Sequence, residues 1–126
     1  LFLQKAVWIA FAGACGTFLR YVVGSWIPNH WGNTFPWATW IINGTGCFLF
    51  GLVWTLAEER FLISSEWRVI ALTGFMGGYT TFSSYMFEAS QMIREAQWLG
   101  AVAIFAGENI SGLVLMMLGF ALGRAL

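Results

Sequence analysis

Apolar residues in this chain do not form one-sided stripes. They fill four long runs, at about residues 4–25, 37–58, 68–95 and 98–123, parted by short polar connections. Each run is near or above the roughly 20 residues that a helix needs to cross about 30 Å of hydrocarbon. The pattern predicts an all-α membrane protein with four transmembrane helices, a single domain over residues 1–126. The first connection, SWIPNHWGNTFPW, carries Pro28 and Pro36 with Asn29, Gly32 and Asn33, all turn formers. The second, EERFLISSEWR, holds five of the twelve charged residues, and the third is little more than REAQW. Trp8, Trp26, Trp31, Trp37, Trp67 and Trp98 fall near the ends of the runs, where an indole buries its ring and keeps its N–H wet.

The third run breaks the pattern from within. GFMGGYTTFSSYMFE, Gly74 to Glu88, sets glycines, hydroxyls, aromatics and a carboxylate inside a segment too short for two spans. A single helix broken near Gly77–Thr81 accounts for both its length and its polarity. Each glycine costs a continuous helix roughly 1 kcal/mol relative to Ala, and Thr80, Thr81, Ser83 and Ser84 are candidates to cap a restarted half-helix. Backbone left non-helical at that depth must be covered by protein or reached by water. The first half would present carbonyls, suited to a small cation, and the second would present N–H groups, suited to an anion. Phe82, Tyr85 and Glu88 recur every three residues on the second half, and the positive ring edge of Phe82 can meet an anion. Thr39 and Asn43 lie one turn apart in the second run, and Glu108, Asn109 and Ser111 lie in the fourth.

Composition confirms the solvent. Hydrophobic residues make up 59% and charged residues 10% of the chain, and mean hydropathy is +0.71. Six basic and six acidic side chains cancel, which leaves no electrostatic footprint for nucleic acid or anionic lipid. Cys15 and Cys47 sit in apolar runs without disulfide or metal-ligand spacing and read as buried thiols. Lys5, Arg60, Arg68 and Arg124 would share the face with both termini and the second connection, against Arg20 and Arg94 opposite, a mild orientation preference. The chain opens at Leu1 without Met, as expected if a few residues are trimmed, and its first run is too long for a secretory signal. Glycines in the first, second and fourth runs mark faces where helices can approach closely, in one subunit or between two.

TGFMGGYTTFSSYMFE resembles the signature of the Fluc (CrcB) family of fluoride channels. GACGTFLRYVVG resembles that family's Gly-rich run leading to an Arg, and PWATWIINGTGCFLFG its Pro, Thr, Asn, Gly segment. The resemblance implies an antiparallel, dual-topology homodimer in the cell's inner (plasma) membrane that exports fluoride passively through pores along the subunit interface. It further implies a ring edge from Phe82, a side-chain donor from Asn43, and supporting or pore-lining polar groups at Arg20, Thr39, Thr81, Ser84 and Glu88. The carbonyls of Gly77 and Thr80 would hold a structural sodium ion. Two residues depart from the family pattern. Tyr85 stands where a second Phe is usual, and Glu108 where Asn or His is common, so Glu108 is expected to be protonated or turned away from the anion path.

A small proton-coupled exporter of hydrophobic cations is the main alternative, with Glu108 and the tryptophans as its binding site, and a noncatalytic membrane subunit is a third reading. No enzyme chemistry assembles. The one histidine, His30, lies in a Pro/Asn/Gly turn, and no nucleophile pairs with a base.

Overall fold

The computed structural model describes all residues, 1–126, and the chain is entirely helical. Helix α1 spans Phe2–Trp31 and α2 spans Trp37–Glu58. The third crossing is composite. Short α3, Ser65–Val69, runs into a π-helical stretch, Ile70–Met76, and then into one turn, α4, Gly77–Tyr79. After Thr80 and Thr81 the chain restarts as α5, Phe82–Arg94, and α6 covers Trp98–Ala125. Helices α1, α2 and α6 are each long and apolar enough to cross a membrane.

The boundary of α2 coincides with the expected run, whereas α1 extends six residues beyond the expected end at 25, through Pro28. Proline removes a single helical donor. The helix runs on past it, and in its last turn the His30 ring stacks on Trp26 with its Nδ1 2.8 Å from the Trp26 carbonyl. The connection is therefore only the five residues 32–36.

Two close-packed helix pairs build the frame. In the first, α2 lies along α6, and a Cβ at Gly119 would sit 2.2 Å from the Phe48 carbonyl oxygen. In the second, α1 lies against the π stretch and α4, and a Cβ at Gly78 would sit 2.3 Å from the Gly13 carbonyl oxygen. These glycines permit backbone contact between membrane helices. Gly77, by contrast, has nothing nearer than 4.0 Å to its missing Cβ.

Both glycines of the Gly77–Gly78 pair lie in the α4 turn rather than at the break. The break falls on Thr80 and Thr81, whose backbones are extended, at φ/ψ of −81°/157° and −147°/116°. Glycine at 78 serves close approach; the threonines carry the interruption.

Only 22 of 126 residues are buried within one chain, and the large exposed side chains are mostly apolar. Such a surface needs lipid or another copy of the chain against it. The N-terminus, the α2–α3 connection and the C-terminus gather at one end. Trp8 packs on Trp67, Arg124 donates to both oxygens of Glu59, and Arg60 donates to the Arg124 carbonyl at 2.8 Å. That end carries Lys5, Arg60, Arg68 and Arg124, with Arg68 paired to Glu58.

Candidate functional site

The break is held by one side chain. Asn43, in the second turn of α2, accepts from the Thr81 N–H at 2.9 Å and donates to the Thr81 carbonyl at 3.0 Å. An extended residue exposes its N–H and carbonyl to a common partner, as in a sheet, and the amide satisfies both. Its second N–H reaches Glu108 Oε1 on α6 at 3.0 Å. Both amide hydrogens of Asn43 are thus committed to protein. Thr81 also caps α5, accepting from the Ser84 N–H at 3.2 Å and donating to Ser84 Oγ at 3.0 Å. A cap of this kind is worth about 1 kcal/mol.

The redirected Thr81 N–H leaves the Gly77 carbonyl without its helical donor, and Thr80, being extended, turns its own carbonyl out of the helical row with no backbone donor. Each of these oxygens keeps lone pairs of the kind that a hard cation takes. Between them in sequence, the Gly78 carbonyl is already occupied, accepting from Arg20 Nε at 3.1 Å and Thr17 Oγ1 at 3.4 Å. Thr17 was not singled out by sequence. Its position one turn before Arg20, on the same helix face, is the signal that could have found it.

A cavity lies on each side of the Asn43–Thr81 pair. The larger, about 500 Å³, is a polar vestibule that brings together Arg20, Thr39, Thr81, Ser84 and Glu88 from α1, α2 and α5. Thr39 Oγ1 donates to Glu88 Oε1, and Arg20 makes no ion pair with Glu88. The four other guanidinium N–H groups have no protein partner, so the vestibule carries positive charge available to an anion.

The smaller cavity, about 320 Å³, is lined by Asn43, Cys47, Phe82, Tyr85, Glu108 and Asn109 together with apolar side chains. Phe82 and Tyr85 meet edge to face at 5.9 Å and 76°. Their surroundings then diverge. Phe82 is 72% exposed, while Tyr85 is buried and donates from its hydroxyl to the Phe105 carbonyl at 3.1 Å. Asn109 donates to the same hydroxyl at 2.8 Å. The phenol that distinguishes this chain is thereby anchored to α6. Glu108 is 8% exposed and bonded to Asn43, and its Oε2 is buried without a partner. The Phe82, Tyr85, Glu88 stripe of the sequence is therefore split between two cavities and the bundle exterior.

The family model described as CrcB-like protein, Camphor Resistance (CrcB), matches residues 7–120. Among curated proteins, the chain is 54% identical to a protein of Nitrosococcus oceani named fluoride-specific ion channel FluC, over 96% of this chain and 97% of that one. Proteins of the same name from Solidesulfovibrio magneticus and Desulforapulum autotrophicum are 43% and 39% identical, the first over 97% of this chain and 98% of its own length, the second over 96% and 97%.

Proposed function

The chain belongs to the CrcB-like family, and from that membership and the geometry of the break we propose that it is a fluoride-specific ion channel that conducts passively. The observation that carries the proposal is the grip of Asn43 on both backbone groups of Thr81. It holds a non-helical residue in place between two cavities, as a fixed passage requires.

The anion would gather in the vestibule, attracted by Arg20 and met by the free O–H of Ser84, with Thr39, whose proton goes to Glu88, and Thr81, whose proton goes to Ser84, lining its path and Glu88 at its wall. The edge of Phe82 would meet it beyond the break, a weak enough partner for rapid release. Tyr85 shapes that passage through its ring, and Asn43 acts chiefly by holding Thr81 in place.

Sodium ion is the cation proposed for the carbonyls of Gly77 and Thr80; when bound it would neutralise the negative end of the first half-helix. The exposed ring of Phe82 and the small buried fraction favour a homodimer, with an antiparallel arrangement consistent with the weak four-to-two charge asymmetry. The proposed location is the inner (plasma) membrane, as a multi-pass protein. The lipid bilayer covers the remaining apolar surface.

Liposomes loaded with fluoride and reconstituted with the protein should empty rapidly without a proton gradient and retain chloride. Phe82→Ile should lower flux about tenfold while the protein stays a dimer by cross-linking. Chloride release at a comparable rate, or transport that appears only with a proton gradient, would sink the channel reading. The latter result would favour the exporter of hydrophobic cations, for which the buried Glu108 is the one supporting observation.

A further inference from the structure

Glu108 is the only charged side chain more than nine-tenths buried in the chain. Its two oxygens are unequal: Oε1 is fixed by the Asn43 amide, and Oε2 has no partner although the 320 Å³ cavity lies beside it. No basic residue lines that cavity, and Arg20 lies on the far side of Thr81, bonded to the Gly78 carbonyl. An ionised carboxylate there would share a low-dielectric space with any passing anion and with no basic side chain to balance it.

We infer that Glu108 is a protonation-controlled ligand of the inner cavity: as the acid it offers its Oε2–H to a small anion, and as the carboxylate it excludes that anion. This inference rests on the channel reading above. The proton comes from water and returns to water, the only bond formed and broken being O–H at Oε2. Asn43 need not move, because its N–H donates to Oε1 in either state.

The neighbouring titratable groups narrow the assignment. From α2, Cys47 lines the same cavity. From α5, Tyr85 has its hydroxyl committed to Phe105 and Asn109, and Glu88 is tied to Thr39 in the vestibule. Leu72 and Met76 of the π stretch bring no charge. Glu88 also keeps an unpartnered Oε2 but lies in the vestibule, so Glu108 is the one carboxylic acid that lines this cavity.

Fluoride efflux from proteoliposomes, corrected for protein-free vesicles, should fall as pH rises through the titration of Glu108, by up to about tenfold per unit for a single proton. Glu108→Gln, which cannot ionise, should conduct at every pH near the wild-type low-pH rate, and Glu88→Gln and Cys47→Ala should keep the pH dependence. In the wild type, a carbonyl-stretch band of a protonated carboxylic acid should titrate across the same range, shift on fluoride addition, and be missing in Glu108→Gln. A wild-type flux that is flat with pH, or a pH profile shared by Glu108→Gln or lost in Glu88→Gln, overturns the inference and leaves the channel reading intact. No fluoride flux at any pH in either protein overturns both.

Discussion

The two cavities that flank the Asn43–Thr81 pair draw on the same helices, α2 and α5, yet handle charge in opposite ways. In the vestibule, Glu88 has a hydroxyl donor from Thr39, and the guanidinium of Arg20 lines the same space. In the inner cavity, Glu108 has one amide donor and no cation. The first can hold an anion whatever its carboxylate does, since positive charge is already present. The second can do so only when its carboxylate is neutral. On this reading the site divides two tasks between neighbouring spaces: attraction where charge is balanced, and discrimination where it is not.

Removing the wall between them is the strongest way to break this contrast. Asn43→Ala leaves the Thr81 N–H and carbonyl unpaired and frees Glu108 Oε1. Each buried backbone group so stranded costs about 1–3 kcal/mol. We expect thermal unfolding in detergent to shift by about 3 kcal/mol, and fluoride flux to fall more than about tenfold. Unchanged flux would move Asn43 out of the passage altogether.

A smaller change sharpens the comparison from the vestibule side. Thr39→Val keeps the shape of the side chain and removes the donor to Glu88. The expected cost is about 1 kcal/mol, with a loss of flux of a few fold and no change in pH profile. Were Thr39→Val to abolish the pH dependence, the two cavities would not be separate electrostatic compartments.

The smallest expected effect lies outside both. Arg124, by hydrogen-bonding and charge, holds the Glu59 carboxyl below the ordinary glutamate range. A depressed folded value means that this bond stabilises the protein above the unfolded value, near pH 4, and that the contribution is lost as pH falls through the folded value. Glu59→Gln should therefore cost a little at neutral pH, where the exposed pair is worth little, cost nothing at pH below the folded value, and so flatten the stability profile in acid. Thermal unfolding as a function of pH checks this; an equal loss at neutral and acid pH would contradict it.

Much of the fold was legible along the chain. The run predicted at 37–58 is helix α2 to the residue, because Pro36 and the Glu58–Glu59 pair bound an unbroken apolar stretch. The interrupted third crossing was legible too, from its length and its hydroxyls. Its details were not. The glycines that pointed to a break are helical, and the break follows at Thr80–Thr81. Neither propensity nor pattern marks the π stretch at Ile70–Met76. The end of α1 was set too early because Pro28 reads as a stop, while the helix runs three residues further, with His30 stacked on Trp26 in its last turn.

By itself, then, the sequence determined the solvent, the number of apolar segments, and which polar residues had to be buried among them, because transfer into hydrocarbon depends on each segment's own composition. It named Asn43, Thr81 and Glu108 as polar groups in want of partners. Only the tertiary structure decided that they would satisfy one another, across 38 and 65 residues of chain. A hydrogen bond depends on distance and direction to fractions of an ångström, and those are set by how closely glycine faces let the helices approach. The same packing buried one carboxylate oxygen of Glu108 without a partner, in a residue that lines the cavity.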